Sequence, residues 1–137
     1  MSAVAERQHP GDDALDSRDA LAIAPGTRPW VPVCRLTDLA PERGAAALVA
    51  GEQVALVRLV DDVVHAVDQR DPFSGAHVMS RGIVGSRGDA PTLTSPMHKQ
   101  VFDLRTGECV EAMGREPVAL RVWPARVTRG VVEVRRP

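Results

Sequence analysis

Two short loops hold the side chains best suited to chemistry. The first reads Asp71-Pro72-Phe73-Ser74-Gly75-Ala76 and the second Ser95-Pro96-Met97-His98-Lys99-Gln100. Each opens on an oxygen donor followed by a proline, which fixes the direction in which the chain enters the loop. Asp71 and Ser95 are hard donors, His98 supplies one imidazole nitrogen and Phe73 supplies nothing. Nucleophilic catalysis is not encoded here: Ser95 and His98 stand three apart, and there is no G-x-S-x-G elbow. The glycines of 82–88 lack the Lys and Ser/Thr of a phosphate loop. His65, His77 and His98, taken with Cys34 or Cys109, match no common zinc spacing. His65 falls within a strand pattern and reads as a half-exposed sheet residue. The two cysteines are read as reduced thiols packed as small hydrophobes, with a disulfide between them left open.

The elements that must position these loops are short and apolar. Trp30–Val33 reads as a first strand, with one turn of helix at Leu36–Leu39. Ala45–Val49 and Gln53–Val60 are strands joined at Gly51-Glu52. Val63–Val67 returns after Asp61-Asp62, which makes the clearest hairpin of the chain. Thr92–Thr94 leads into the second loop and Val101–Leu104 leaves it. Arg105-Thr106-Gly107-Glu108 is the next turn, Cys109–Ala112 returns, and Val118–Trp123 and Val131–Val134 close the domain around a turn at Thr128-Arg129-Gly130. Valine-rich strands and frequent turn residues predict an antiparallel sandwich or barrel.

The second loop and the strand after it resemble the Rieske-type ferredoxin domain. That family reads C-P-x-H-G followed by F-D-x-x-T-G, and here Pro96, His98, Phe102, Asp103, Thr106 and Gly107 stand in register. The first loop keeps Pro72, Gly75 and Ala76 of C-P-H-x-G-A. Ser80-Arg81-Gly82-Ile83-Val84-Gly85, Lys99-Gln100, Leu104 and Cys109 make the chain more similar still to one branch, the small subunits of assimilatory NAD(P)H-dependent nitrite reductases. The resemblance covers Trp30 to the C-terminus. It implies an all-β, Rieske-like three-sheet sandwich with both loops at one tip.

A Rieske cluster takes two thiolates on one iron and two imidazoles on the other. By the resemblance, Asp71 stands at the first Cys, Phe73 at the first His and Ser95 at the second Cys, and only His98 keeps a ligand's identity. Lys99 replaces the following Gly and puts an ammonium beside the old site, which disfavours a cation and suits a carboxylate or small anion. No catalytic, cofactor-binding or metal-binding residue is therefore expected in this chain. Phe73 is expected to fill the space of the cluster, with Asp71 and Ser95 bonding loop amides. The branch implies a large subunit carrying FAD, sirohaem and an iron–sulfur cluster, which reduces nitrite to ammonium. This chain would stabilise or orient it. Arg70, Asp71, Phe73 and Arg81 are the candidate contacts on the first side, with His98, Lys99 and Gln100 on the second.

Bulk properties set the outer limits. A chain of 137 residues that is 44% hydrophobic and 26% charged fits one soluble domain. Its net charge of −1, without a basic stripe, gives no reason to expect nucleic acid. No apolar run reaches a membrane span, and the acidic N-terminus reads as neither a secretory signal nor a transit peptide, so a cytoplasmic protein is expected. Residues 1–28 read as a disordered arm, in which Asp12–Ile23 could make a partner-docking helix, and 29–137 as the domain. Two other functions remain open: a Rieske ferredoxin with an atypical cluster, which would be brown and hold two irons, and a free-standing adaptor with another partner.

Overall fold

The computed structural model describes residues 28–137. Apart from Arg28, the expected N-terminal arm and its candidate helix lie outside the described residues. The described chain forms eleven strands: β1 (Val31–Arg35), β2 (Arg43–Val49), β3 (Glu52–Arg58), β4 (Val64–Asp68), β5 (Ile83–Arg87), β6 (Ala90–Thr94), β7 (Val101–Asp103), β8 (Cys109–Glu111), β9 (Val122–Trp123), β10 (Ala125–Thr128) and β11 (Val131–Val134). Single 3-10 turns occur at Leu36–Asp38 and Met79–Arg81. The strands build three sheets, ordered β1-β11-β10, β2-β3-β4-β9 and β5-β6-β7-β8. Neighbouring strands are antiparallel throughout.

The sheet β2-β3-β4-β9 is the middle layer, and its sequence shows why. Val54 and Leu56 of β3 enter one core with Val33, Val49, Trp123, Val132 and Val134. Their neighbours Ala55 and Val57 enter a second core with Val67, Leu93, Phe102, Leu104 and Leu120. Successive strand residues point to opposite faces, so a strand covered on both sides reads as an unbroken apolar run. The β2–β3 hairpin turns on Ala50 and Gly51, with φ of 50° and 83°. Such left-handed pairs match the twist of the strands they join.

The expected all-β sandwich is what forms, with different edges. β5 is an edge strand in which only Val84 is half-buried, so Gly85, Ser86 and Arg87 give no alternating signal. β10 is likewise nearly all exposed. The strand expected over Val118–Trp123 shrinks to β9. Its first half runs beside the β7–β8 hairpin instead, where the Leu120 amide donates to the Gly107 carbonyl at 2.8 Å.

That approach explains why Thr106-Gly107 ends the hairpin. Gly107 has φ +80°, and a Cβ there would lie 1.9 Å from the Leu120 carbonyl oxygen. Gly88 is also left-handed, at φ +59°, but nothing lies within 4 Å of its Cβ position. Gly107→Ala is expected to cost about 3 kcal/mol or more, because both strain and the clash with backbone must be relieved. Gly88→Ala should cost about 1–2 kcal/mol from backbone strain alone. Urea midpoints of the two variants check this, and equal losses would show that the Leu120 contact is not the cause.

Candidate functional site

The two chemistry-bearing loops do come together, and they are copies of one design. In the first, the Asp71 amide donates to the Ala76 carbonyl at 2.8 Å and the Gly75 amide to the Asp71 carbonyl at 2.8 Å. In the second, the Ser95 amide donates to the Gln100 carbonyl at 2.9 Å and the Lys99 amide to the Ser95 carbonyl at 3.2 Å. The fifth residue of each is left-handed, Gly75 at φ 80° and Lys99 at φ 64°. This is why glycine suits that position in the family pattern and why Lys99 sits there at some cost in strain. The opening side chain of each loop accepts from the amide two residues on: Phe73 to Asp71 Oδ1 at 2.8 Å, and Met97 to Ser95 Oγ at 3.1 Å.

The two opening side chains also meet each other. Ser95 Oγ donates to Asp71 Oδ2 at 2.5 Å, and both residues are buried. The Ser74 amide adds a third donor to the carboxylate, at 3.3 Å from Oδ1. Burial pushes the Asp71 carboxyl up, but the Ser95 hydroxyl and the Phe73 and Ser74 amides outweigh it and hold it below its ordinary range. Asp71 is therefore an anion at neutral pH. The bonds to loop amides follow the sequence expectation. The bond between loops does not, since its partners lie 24 residues apart.

Phe73 is half-buried against the second core, its ring centroid 6.0 Å from that of Phe102. Gln100 is buried, as Asp71 is, so neither side chain is offered at the surface of the tip. His98, Lys99, Arg70 and Arg81 are exposed, as is His77. Sequence reasoning missed a third segment: Arg115, beyond β8, places its guanidinium 5.8 Å from the Phe73 ring centroid. The one signal in the sequence is Gly114, a turn-forming residue just before it.

The donor set does not fit a [2Fe–2S] cluster. Asp71 and Ser95 spend their oxygens on each other and on amides, Phe73 has no donor, and one imidazole remains. Among the described residues no group of three or more His, Cys, Asp or Glu side chains is placed to hold a metal ion. Cys34 and Cys109 are free thiols. Burial, with Asp38 adding to it, pushes Cys34 up to about 11, and burial also raises Cys109, so neither is a ready thiolate. His65 is half-buried on β4, as expected, with burial lowering its pKa. It borders an open cleft of about 480 Å³ with Leu59, Val63, Pro91 and Arg105, and no tip-loop residue takes part. Among the described residues no helix is long and apolar enough to cross a membrane.

Residues 29–135 match the family of the Rieske-like [2Fe-2S] domain. The chain is 37% identical over 107 residues to the NADH nitrite reductase small subunit of Escherichia coli K12, covering 77% of this chain and 96% of that one. It is 39% identical over 108 residues to the NAD(P)H nitrite reductase large subunit of Klebsiella oxytoca, covering 79% of this chain but only 11% of the relative. Among solved structures it is similar to a Mycobacterium tuberculosis protein described as an NADH-dependent nitrite reductase small subunit. That match has a TM-score of 0.73 and 48% identity, over 80% of this chain and 96% of the other.

The buried carboxylate yields a stability prediction with a pH signature. Asp71→Ala leaves a hydroxyl and two amides without their acceptor and should cost about 2–4 kcal/mol at pH 7. Because folding lowers the Asp71 pKa, its contribution is complete above the unfolded value of about 4 and is lost as pH falls through the folded one. The stability gap between wild type and Asp71→Asn should therefore be widest near neutrality and close on acidification. Urea titrations from neutral pH downward measure it, and a gap that grows in acid would mean that Asp71 is buried uncharged.

Proposed function

The chain belongs to the Rieske-like [2Fe-2S] domain family and, within it, to the nitrite reductase small subunits, and from that premise we propose that it is a redox-silent subunit of a cytoplasmic NAD(P)H-dependent nitrite reductase. It holds and orients a large catalytic subunit that reduces nitrite to ammonium for nitrogen assimilation. FAD, sirohaem and an iron–sulfur cluster belong to that larger chain. The observation on which this rests is the Asp71–Ser95 hydrogen bond. It occupies the gap in which a cluster would need thiolates and replaces a metal staple by a polar one. The Klebsiella oxytoca relative supports the pairing, because there the matching region is 11% of a chain named as the large subunit.

The tip is the proposed contact, offered by Arg70, Phe73, Arg81, His98 and Lys99 over the buried Asp71 and Gln100. Loops on a rigid sheet scaffold are the usual place for binding residues.

Tagged protein purified from cells grown on nitrate should be colourless and iron-free once separated from partners. Before separation it should bring down one large chain containing flavin and sirohaem. Two irons per chain with visible absorption would favour the ferredoxin reading, and the absence of any such large chain would favour the adaptor. Lys99→Glu and Arg81→Glu should each weaken the association several-fold with little change in urea midpoint, since exposed charges contribute little to folding.

A further inference from the structure

The 112–118 segment gives the tip a third wall, and its residue types say what sort of surface it meets. The Arg115 amide donates to the Ala112 carbonyl at 3.2 Å, closing a turn whose middle residues, Met113 and Gly114, are both left-handed at φ 54° and 84°. The Arg115 guanidinium then lies over Phe73 of the first loop. Phe73 is tied through the Asp71 carboxylate to Ser95, and Ser95 Oγ holds the Met97 amide. Met97 and Met113 are thus carried by two segments that converge on one end of the sandwich, and they are 46% and 57% exposed.

The charge around them is one-sided. Arg58, Arg87, Arg105, Arg121, Arg126 and Arg136 each have a carboxylate partner. Arg70, Arg81, Lys99 and Arg115 gather at the tip without a carboxylate partner among the described residues; Arg28, Arg35, Arg43, Arg129 and Arg135 also lack one but belong to other parts of the chain. The one carboxylate exposed on these segments is Glu116, because Asp71 is buried. Val60 and Val63 are also exposed, but they flank Asp61-Asp62, where Asp62 already pairs with Arg58. Met97 and Met113 thus stand exposed on segments that also carry cations without a carboxylate partner among the described residues. Methionine is the side chain that adapts most readily to an opposing apolar surface, and unpaired charges steer and register a complementary one.

We propose that Met97 and Met113 seat in an apolar socket of the large catalytic subunit and that carboxylates around the socket pair with Arg70, Lys99 and Arg115. This rests on the subunit reading above and adds the third segment and the chemistry of the partner surface.

The test measures binding of the purified large flavin- and sirohaem-containing chain to wild type and variants at low and high salt. Met113→Asp and Arg115→Glu should each raise Kd tenfold or more. Arg115→Glu should also flatten the salt dependence, while Arg129→Glu, a cation of the β10–β11 turn, should change neither. Met113→Gly separates docking from folding: it should raise the urea midpoint by relieving the left-handed backbone and still weaken binding. If wild type binds and Met113→Asp and Arg115→Glu bind within threefold of it, the docking surface lies elsewhere and the subunit reading stands. If wild type binds no such chain at any salt concentration, the subunit reading fails and this surface fails with it.

Discussion

At one end of the sandwich a carboxylate lies out of water with no cationic partner among the described residues. A charge in that position is tolerated only if hydrogen bonds replace the water it has lost. Asp71 finds three donors, two from its own loop and one from Ser95. Asp71 follows β4 of the middle sheet and Ser95 follows β6 of the outer one. The bond between them therefore ties two layers together at the end where both chains leave their strands. How the two loops sit against each other, and where Phe73 is held, follow from satisfying that one anion.

The layers beneath make such a tie effective. β3 sends alternate residues into two cores, so the middle sheet is gripped on both faces and cannot shift towards either. Phe102 of β7 belongs to the second core and meets Phe73, which carries the rigidity of the sheets out to the first loop. Gly107 lets the segment leading to β9 approach the β7–β8 hairpin at backbone distance. Each contact fixes where a loop begins, and the loops then need only local hydrogen bonds to hold their form.

What the sequence revealed follows the same division. Val54–Val57 is legible as buried strand because both faces are covered, and Gly51 and Thr106-Gly107 are legible because their turns demand unusual backbone angles. β5 and β10 were illegible, since an exposed edge strand places no apolar demand on its residues. At the tip, the loss of ligands could be read position by position from the family pattern. The Asp71–Ser95 bond could not, because nothing local links residues 24 apart and the pairing exists only once two sheets are stacked. The likeness of the two loops was hidden for a related reason. It resides in matching amide-to-carbonyl bonds, which Gly75 and Lys99 satisfy with different side chains.

Those backbone bonds also explain how a metalloprotein tip persists without its ligands. Each loop is closed by its own amides, so its shape does not depend on what its opening side chain binds. Replacing thiolates by a carboxylate and a hydroxyl exchanges a metal bridge for a hydrogen bond between the same two points. The exchange leaves the two loops linked through a buried carboxylate and a hydroxyl. Asp71 and Ser95, being buried, can perform this structural task without taking part in contact. The exposed positions around them, Met97, Lys99, Met113 and Arg115, are then free to be shaped by whatever surface they meet. A tip that is rigid beneath and cationic and apolar above suits recognition of a complementary surface, because its charges set register and its apolar side chains adapt to what they meet.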